Sequence, residues 1–132
     1  MLPGAASRTC IALVDVDRFK QVNDNHSHHV GDEVLRVVAD ILSTAVRAGD
    51  FVARLAGDEF VVLFERATSE DAALICTRMK TAVLDHPWDG IAPGLRVSIS
   101  IGLEQAQAGE WLQQLLQRSD RKMYADKRAA SV

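Results

Sequence analysis

The sequence has 132 residues, 48% of them hydrophobic and 25% charged, which is typical of one globular domain with a hydrophobic core. The net charge of −3 excludes a strongly basic surface, so we expect no binding to nucleic acid and no membrane contact by this segment. No apolar run is long enough to span a bilayer, and residues 1–10 lack the apolar core of a signal peptide. Cys10 and Cys76 form no CxxC motif, which favours reduced thiols in a cytoplasmic domain, although a single Cys10–Cys76 disulfide stays open.

The first predicted elements are a strand and a helix. Residues 1–9 are expected to form a disordered lead, with the domain spanning 10–132. The stretch CIALVDVD (10–17) is a short apolar run that ends in acids, as a buried strand with a polar end does. From Val30 to Val46 the apolar residues recur at helical spacing, and Gly49 is expected to end this helix.

The second half of the chain alternates strand and helix signals. DFVARL and EFVVLFE predict two strands joined into a hairpin at AGD (56–58). A helix is predicted after a cap at Thr68 or Ser69. The Pro- and Gly-rich segment 85–94 predicts a loop, LRVSISIG (95–102) a half-buried strand, and residues 111–127 a final helix.

This order predicts an α+β fold with a ferredoxin-like, palm-type β-α-β-β-α-β core, in which helices pack on a central antiparallel sheet. In that topology the first strand lies beside the third. The end of the first strand and the hairpin therefore share one edge of the sheet. We expect the acids at these two places to lie close together: Asp15, Asp17, Asp58 and Glu59.

Clustered carboxylates without Cys or His suit Mg²⁺ or Mn²⁺. Such ions activate an attacking hydroxyl and stabilise a leaving oxygen in phosphoryl or nucleotidyl transfer. The competing interpretation is an acidic turn that faces solvent. An EF-hand is rejected because its sixth and twelfth positions, counted from Asp15, hold Lys20 and His26. HSHH (26–29) has no further His or Cys at the spacing of a zinc site.

Several motifs in order resemble the GGDEF domain of diguanylate cyclases, which condense two GTP molecules into cyclic di-GMP. These motifs are DVDRFKQVND, HHVGDEVL, RAGDFVARLAGDEF, VSISIGL and SDRKMYADK, and the resemblance runs from Ile11 to about Lys127. It implies Mg²⁺ (or Mn²⁺) as cofactor and GTP as substrate. It also implies a transient two-fold homodimer for catalysis, because the cyclic product contains two guanosine units.

The resemblance also implies roles for individual residues. Metal ligands would be the Asp15 side chain, the Val16 carbonyl and Asp58, assisted by Glu59. Asp58 would help deprotonate the attacking 3′-hydroxyl, and Gly57 would let the backbone approach the ligand. The expected nucleotide contacts are Asn23 and Asp32 at the guanine edge, Phe19 and Leu35 as pocket walls, His28 near the substrate, and Lys20 and Lys127 at the triphosphate. For the two lysines, a solvated helix face is the competing interpretation.

A second site is implied by RAGD (47–50), which stands where the family carries its RxxD inhibitory motif. Arg47, Asp50 and Arg78 would bind the cyclic product there, since Arg offers a planar fork and Asp accepts from guanine N–H groups. The competing interpretation is structural, because Arg47 also suits a helix C-terminus.

Four departures from the family pattern bear on activity. The signature has Ala56 for its first Gly, the family's Gly-His is Ser27-His28, and Ser131 stands where an Arg on phosphate is expected, with Arg128 as a substitute. The family's DxLTGLxNRR stretch is absent, so the segment is expected to belong to a larger sensor protein. The alternative to an active cyclase is a catalytically weak module that binds GTP or cyclic di-GMP and regulates a partner, or a purely assembling domain.

Overall fold

The computed structural model describes residues 8–130. Its strands are β1 (Cys10–Val16), β2 (Phe51–Ala56), β3 (Glu59–Phe64) and β4 (Ile99–Gln105). Its α-helices are α1 (Phe19–Asn25), α2 (His28–Ala45), α3 (Ser69–Asp85) and α4 (Leu112–Ala130), and a single 3₁₀ turn covers Trp88–Gly90. The seven predicted elements are all present in the predicted order. The short helix α1 was not predicted.

The four strands form one antiparallel sheet in the order β2-β3-β1-β4. The predicted α+β fold, with β1 beside β3, is therefore confirmed. In the β1–β3 register Asp15 lies opposite Glu59, so the end of β1 meets the start of β3. A bulge between Arg54 and Ala56 ends the regular pairing of β2 just before the hairpin turn.

The main core lies between the sheet and helices α2 and α3. Val14, Val62 and Phe64 are fully buried on this face of the sheet, with Val38 of α2 and Met79 of α3 against them. A smaller apolar cluster on the opposite face joins Ile11 of β1 to Leu115 of α4. The sheet is thus held between two layers, and its edge at the end of β1 stays open to a ligand.

Local chemistry sets the helix starts. The Thr68 side chain accepts a hydrogen bond from the Asp71 N–H at 3.1 Å and caps α3, as predicted. The Ser27 side chain accepts from the Val30 N–H, so α2 begins at His28, two residues before the predicted start. In the predicted loop 85–94, Trp88 is buried and its indole N–H donates to the Val83 carbonyl. β4 begins at Ile99, four residues after the predicted start.

Both thiols are free and buried, so the disulfide left open above is not formed. Burial raises the pKa of Cys10 to about 11 and that of Cys76 to about 12. No helix in residues 8–130 has the length and apolarity needed to cross a membrane. Of the predicted lead, residues 1–7 lie outside the described residues, whereas the carbonyls of Arg8 and Thr9 accept hydrogen bonds from Ala67 and Ala106.

Candidate active site

The hairpin turn delivers its acids to the end of β1. Gly57 has φ +49°, a left-handed conformation that favours glycine, and its carbonyl accepts from Arg54 Nε at 2.8 Å. Among the non-glycine residues of 8–130, only Arg18 and Arg66 have positive φ, so Ala56 fits its place without strain. The Val16 N–H donates to the Asp58 carbonyl at 3.2 Å, which ties the turn to β1.

Asp15 is the most perturbed carboxyl of this edge. Its side chain is 13% exposed, its Oδ2 accepts from Lys127 Nζ at 2.8 Å, and its Oδ1 is buried without a hydrogen-bond partner in the structure. Burial and the neighbouring Asp58 carboxylate raise the pKa of Asp15 to about 6, although Lys127 opposes the rise. Asp15 and Asp58 lie together in a half-buried position where Lys127 is the cation that offsets their charge. This arrangement attracts a further cation.

Asp17 behaves differently from Asp15. Its carboxylate accepts from Ser98 Oγ at 2.7 Å and from Ser100 Oγ at 2.5 Å, and Lys127 lies 3.7 Å away. The sequence analysis did not identify these serines as partners. Their signal was the alternation of LRVSISIG, which placed both on the polar side of a strand. Asp17 therefore anchors β1 to β4 instead of joining the Asp15–Asp58 pair.

The carboxylates at this edge could hold a metal ion only as a pair. In the described part of the chain, no three His, Cys, Asp or Glu side chains are grouped so that they could hold a metal ion. Asp15 and Asp58 remain as a pair, and Mg²⁺ usually takes only one or two protein carboxylates and fills its other positions with water and phosphate. The unpartnered Asp15 oxygen is the observation that makes this pair fit such an ion.

The predicted guanine contacts cluster where α1 crosses α2. A Cβ on Gly31 would lie 1.8 Å from Asn23 Oδ1 and 3.2 Å from Phe19 Cζ, so glycine at this position leaves room for the Asn23 side chain against α2. Asn23 Oδ1 is buried and has no hydrogen-bond partner in the structure. Asp32 and Leu35 follow on α2 and line a cleft of 490 Å³ between α2 and β2.

The predicted cations differ in environment. Lys20, in the first turn of α1, and His28, at the start of α2, are exposed. Lys127 is a third exposed and binds Asp15; burial opposes its charge, but this hydrogen bond keeps its pKa raised. Next to it, Asp126 accepts from Lys80 Nζ at 2.6 Å and from the Ile101 N–H at 2.8 Å. That pair of contacts fixes the last turns of α4 over β4.

The RxxD residues form a compact loop. Arg47 Nε and Nη2 bond both oxygens of Asp50, at 3.1 and 3.2 Å, and Nη2 also donates to the Glu65 carbonyl. The Asp50 side chain is 1% exposed; burial opposes its charge, yet hydrogen bonds from Arg47 and Glu65 hold its pKa below the usual range. Arg78 lies on α3 and lines a cavity of 590 Å³ between α2 and α3.

Comparison with known proteins gives consistent matches. The family model "Diguanylate cyclase, GGDEF domain" matches residues 4–131. Over 119 residues the chain is 33% identical to diguanylate cyclase DgcP of Pseudomonas aeruginosa and 40% identical to response regulator PleD of Caulobacter vibrioides. These alignments cover 90% and 87% of the chain but only 18% and 26% of the relatives, so the chain spans a minor part of each.

Solved structures similar to this chain are also domains of this family. The GGDEF domain of DgcB from Caulobacter crescentus, in complex with c-di-GMP, superposes with a TM-score of 0.85 at 28% identity, covering 92% of this chain and 72% of that one. The active GGEEF domain of a diguanylate cyclase from Vibrio cholerae also gives 0.85, at 25% identity, covering 92% and 77%. The motifs, the fold and these matches all agree, and the chain belongs to the GGDEF domain family of diguanylate cyclases.

Proposed function

We propose that this domain is a diguanylate cyclase, which condenses two GTP molecules into cyclic di-GMP and releases pyrophosphate. The 3′-hydroxyl of one GTP would attack the α-phosphate of the other. The observation that carries the proposal is the Asp15–Asp58 pair at the hairpin edge, with its buried, unpartnered oxygen. Family membership gives this pair its chemical context.

The site would hold Mg²⁺ (or Mn²⁺) through the side chains of Asp15 and Asp58 and the carbonyl of Val16, with Glu59 assisting. When bound, the ion supplies positive charge to the phosphate oxygens and to the leaving group. Asp58 would accept the proton of the attacking hydroxyl, because it is half-buried next to the exposed residues Ala56 and Gly57, where a sugar edge can reach it. Gly57, which has no side chain, leaves room for that approach.

Guanine recognition would use the α1–α2 junction. Asp32 accepts from the N1–H and the exocyclic amine, while the Asn23 amide meets the ring acceptors. Adenine presents a different donor and acceptor pattern and would leave buried groups unpaired, which gives strong discrimination. Phe19 and Leu35 would wall the base, and His28 at the start of α2 would lie near the substrate. The unpartnered atom of Asn23 is its amide oxygen, which can accept from a guanine N–H, so it supports a contact between Asn23 and the base.

The triphosphate would be met by Lys20 and Lys127. Lys127 is held in place by the anchored end of α4 and carries a raised pKa, so it is charged at neutral pH. Its present partner is Asp15. Exchange of this ion pair for a phosphate contact would leave the Asp15 carboxylate available to the metal ion.

Each domain carries one acidic pair and one guanine-reading set, so the second GTP would come from another copy facing the first. A two-fold arrangement places each 3′-hydroxyl against the α-phosphate held by the other copy. We expect the isolated domain to be mostly monomeric. Specific activity should therefore rise with enzyme concentration, and a dimeric coiled coil fused before Met1 should raise it further. An activity that stays flat over a hundredfold dilution of a monomer would contradict this assembly.

Product inhibition is proposed at Arg47, Asp50 and Arg78. Arg47 Nη1 makes no hydrogen bond within residues 8–130, so one donor of the fork is left for a ligand phosphate or base. Arg47→Ala should weaken cyclic di-GMP binding by about 1.5–3 kcal/mol, the usual range for a lost charge-assisted contact. Arg121→Ala, an exposed arginine of α4 that lines neither the Arg78 cavity nor the Asp32 cleft, is the matched control. Equal product affinity in calorimetry for Arg47→Ala and wild type would remove the inhibitory role.

The direct test is incubation of the purified domain with GTP and Mg²⁺ or Mn²⁺, followed by chromatography. Cyclic di-GMP and pyrophosphate should form, and EDTA should stop both. The alternative, a regulatory module that only binds nucleotide, is favoured by one observation, the Lys127–Asp15 ion pair that occupies a proposed metal ligand. Saturable binding of GTP with no product at any enzyme concentration would establish this alternative.

A further inference from the structure

A cavity of 380 Å³ lies beside the acidic pair, against Arg18 and the face of α1 that carries Gln21 and Val22. Its walls come from α1, from residues 94–98 before β4, and from the end of α4. Asn23, in the proposed guanine contact, does not line it. The cavity reaches the active site through two residues that line it, Asp17 and Lys127, since Lys127 also bonds Asp15.

The charge of this cavity is positive. Arg18, Arg96 and Lys127 line it, against the single carboxylate of Asp17. That carboxylate is already bonded by Ser98 and Ser100, and Lys127 is shared with Asp15. Arg18 and Arg96 are exposed, and their side chains form no hydrogen bond or ion pair with any residue of 8–130. Two unpaired guanidinium groups in a concave, solvent-filled place suit an anion.

The backbone conformation of Arg18 also supports a binding site in this cavity. Arg18 has φ +53° and precedes α1 in a left-handed conformation, which costs a non-glycine residue free energy. Such conformations persist mainly where a site needs them. Here the conformation turns the chain directly after Asp17 and sets the Arg18 side chain on the wall of the cavity.

We infer that Arg18 and Arg96 bind the polyphosphate end of the nucleoside triphosphate, beyond the contact made by Lys127. This inference rests on the proposed function, because it needs GTP in the adjoining site. Lys127 is partly neutralised by two carboxylates, so together with Lys20 and the metal ion it leaves part of the triphosphate charge uncompensated. Arginine forks bond phosphate oxygens in pairs, so two of them add both charge and orientation. The competing cation is Arg128, which is exposed next to Lys127.

Calorimetry with α,β-methylene-GTP and with GMP, in Mg²⁺, tests the assignment. Arg18→Ala and Arg96→Ala should each weaken binding of the triphosphate analogue about 5- to 20-fold. GMP affinity should change less than twofold, because GMP lacks the terminal phosphates. Arg96→Lys should recover part of the loss. Arg121→Ala, an exposed arginine of α4 that does not line the cavity, is the matched control, and thermal melting checks that each variant is folded.

Three results would overturn the assignment. The first is equal analogue affinity for Arg18→Ala, Arg96→Ala and Arg121→Ala. The second is an equal loss for GMP and for the analogue. The third is a loss confined to Arg128→Ala, which would make Arg128 the phosphate ligand. If wild type binds the analogue and the two variants weaken it, but no cyclic di-GMP forms from GTP, the cyclase proposal fails while the phosphate site stands. If wild type binds no guanine nucleotide, both fail.

Discussion

The two ends of α4 carry the same kinds of groups in opposite states. Near its start, Arg118 bonds Glu110 through Nε and Nη2, Glu104 through Nη1, and the Gln105 carbonyl through Nη2. At its end, Lys127 bonds Asp15 at 2.8 Å and lies 3.7 Å from Asp17, while Asp58 and the buried Asp15 Oδ1 stay outside the pair. Both are cations between two carboxylates.

The two ends differ in how fully the hydrogen-bonding groups of their carboxylates are satisfied. The planar fork of Arg118 fits its acceptors and holds the pKa of Glu110 below its usual range, chiefly through their hydrogen bond. A single ammonium cannot do the same for the Asp15 site, where the pKa is raised instead. The saturated end is a structural clamp, and the unsaturated end has capacity for a ligand. Charged clusters alone do not mark function; the unfilled hydrogen-bonding capacity does.

The largest expected effect comes from Asp58→Asn, which removes charge from the unsaturated end. Loss of a proposed base and metal ligand should lower the rate of cyclic di-GMP formation by about 10²–10⁴-fold. The melting temperature should stay equal or rise, because repulsion with Asp15 is relieved. Product chromatography and thermal melting are the two measurements. Turnover near the wild-type rate would remove Asp58 from the mechanism.

At the saturated end, Arg118→Met should lower the free energy of unfolding by about 2–3 kcal/mol. Glu110, whose side chain is 7% exposed, would then lose its cation, and Glu104, 18% exposed, would keep only Lys122 at 3.7 Å. Breaking a fully buried ion pair costs more free energy of unfolding. The expected loss is smaller here because these side chains keep some exposure to solvent. Lys127→Met is the matched variant: it should cost little stability but weaken GTP binding. Urea unfolding of both decides the comparison, and equal losses at the two ends would contradict it.

Gly31→Ala tests the other buried polar atom that has no hydrogen-bond partner within residues 8–130, Asn23 Oδ1. The new Cβ would lie 1.8 Å from Asn23 Oδ1, so the Asn23 side chain must turn away from α2, at a cost of at most about 1–3 kcal/mol. GTP affinity should fall with the displaced Asn23. Gly90→Ala is the control, since no atom lies within 4 Å of its added Cβ and its φ is not positive. Unchanged GTP affinity in Gly31→Ala would argue against Asn23 as a base contact.

The sequence predicted the fold well because the strands and long helices have clear apolar periodicity. It did not predict α1, since that helix has seven residues and buries only Val22, too little for a periodic signal. It placed the acids of β1 and of the hairpin at one edge from topology alone, and the pairing of Asp15 with Glu59 confirms that these two segments meet. It did not reveal that Asp17 is bonded by Ser98 and Ser100, or that Arg118 forms a clamp. Both sets of contacts join side chains from different segments of the chain, which meet only when β4 and α4 have packed in the folded domain.

The smallest expected effect is on pH dependence, in which the two ends should differ in sign. Asp15 has a folded-state pKa near 6, above its ordinary 3.8, so in EDTA its contribution to stability is present at low pH and is lost as the pH rises from about 4 through 6. Glu110 has a lowered pKa, so its contribution is present at neutral pH and is lost as the pH falls below its ordinary 4.5. Urea unfolding from pH 3 to pH 8 should show Asp15→Asn gaining on the order of 1 kcal/mol over wild type at pH 7 and nothing at pH 4. Glu110→Gln should lose stability relative to wild type at pH 7, and the gap should close towards pH 3. Parallel curves for Asp15→Asn and wild type would mean that the Asp15 carboxyl is not strained in the folded domain, and the contrast between the two ends of α4 would then lose its electrostatic basis.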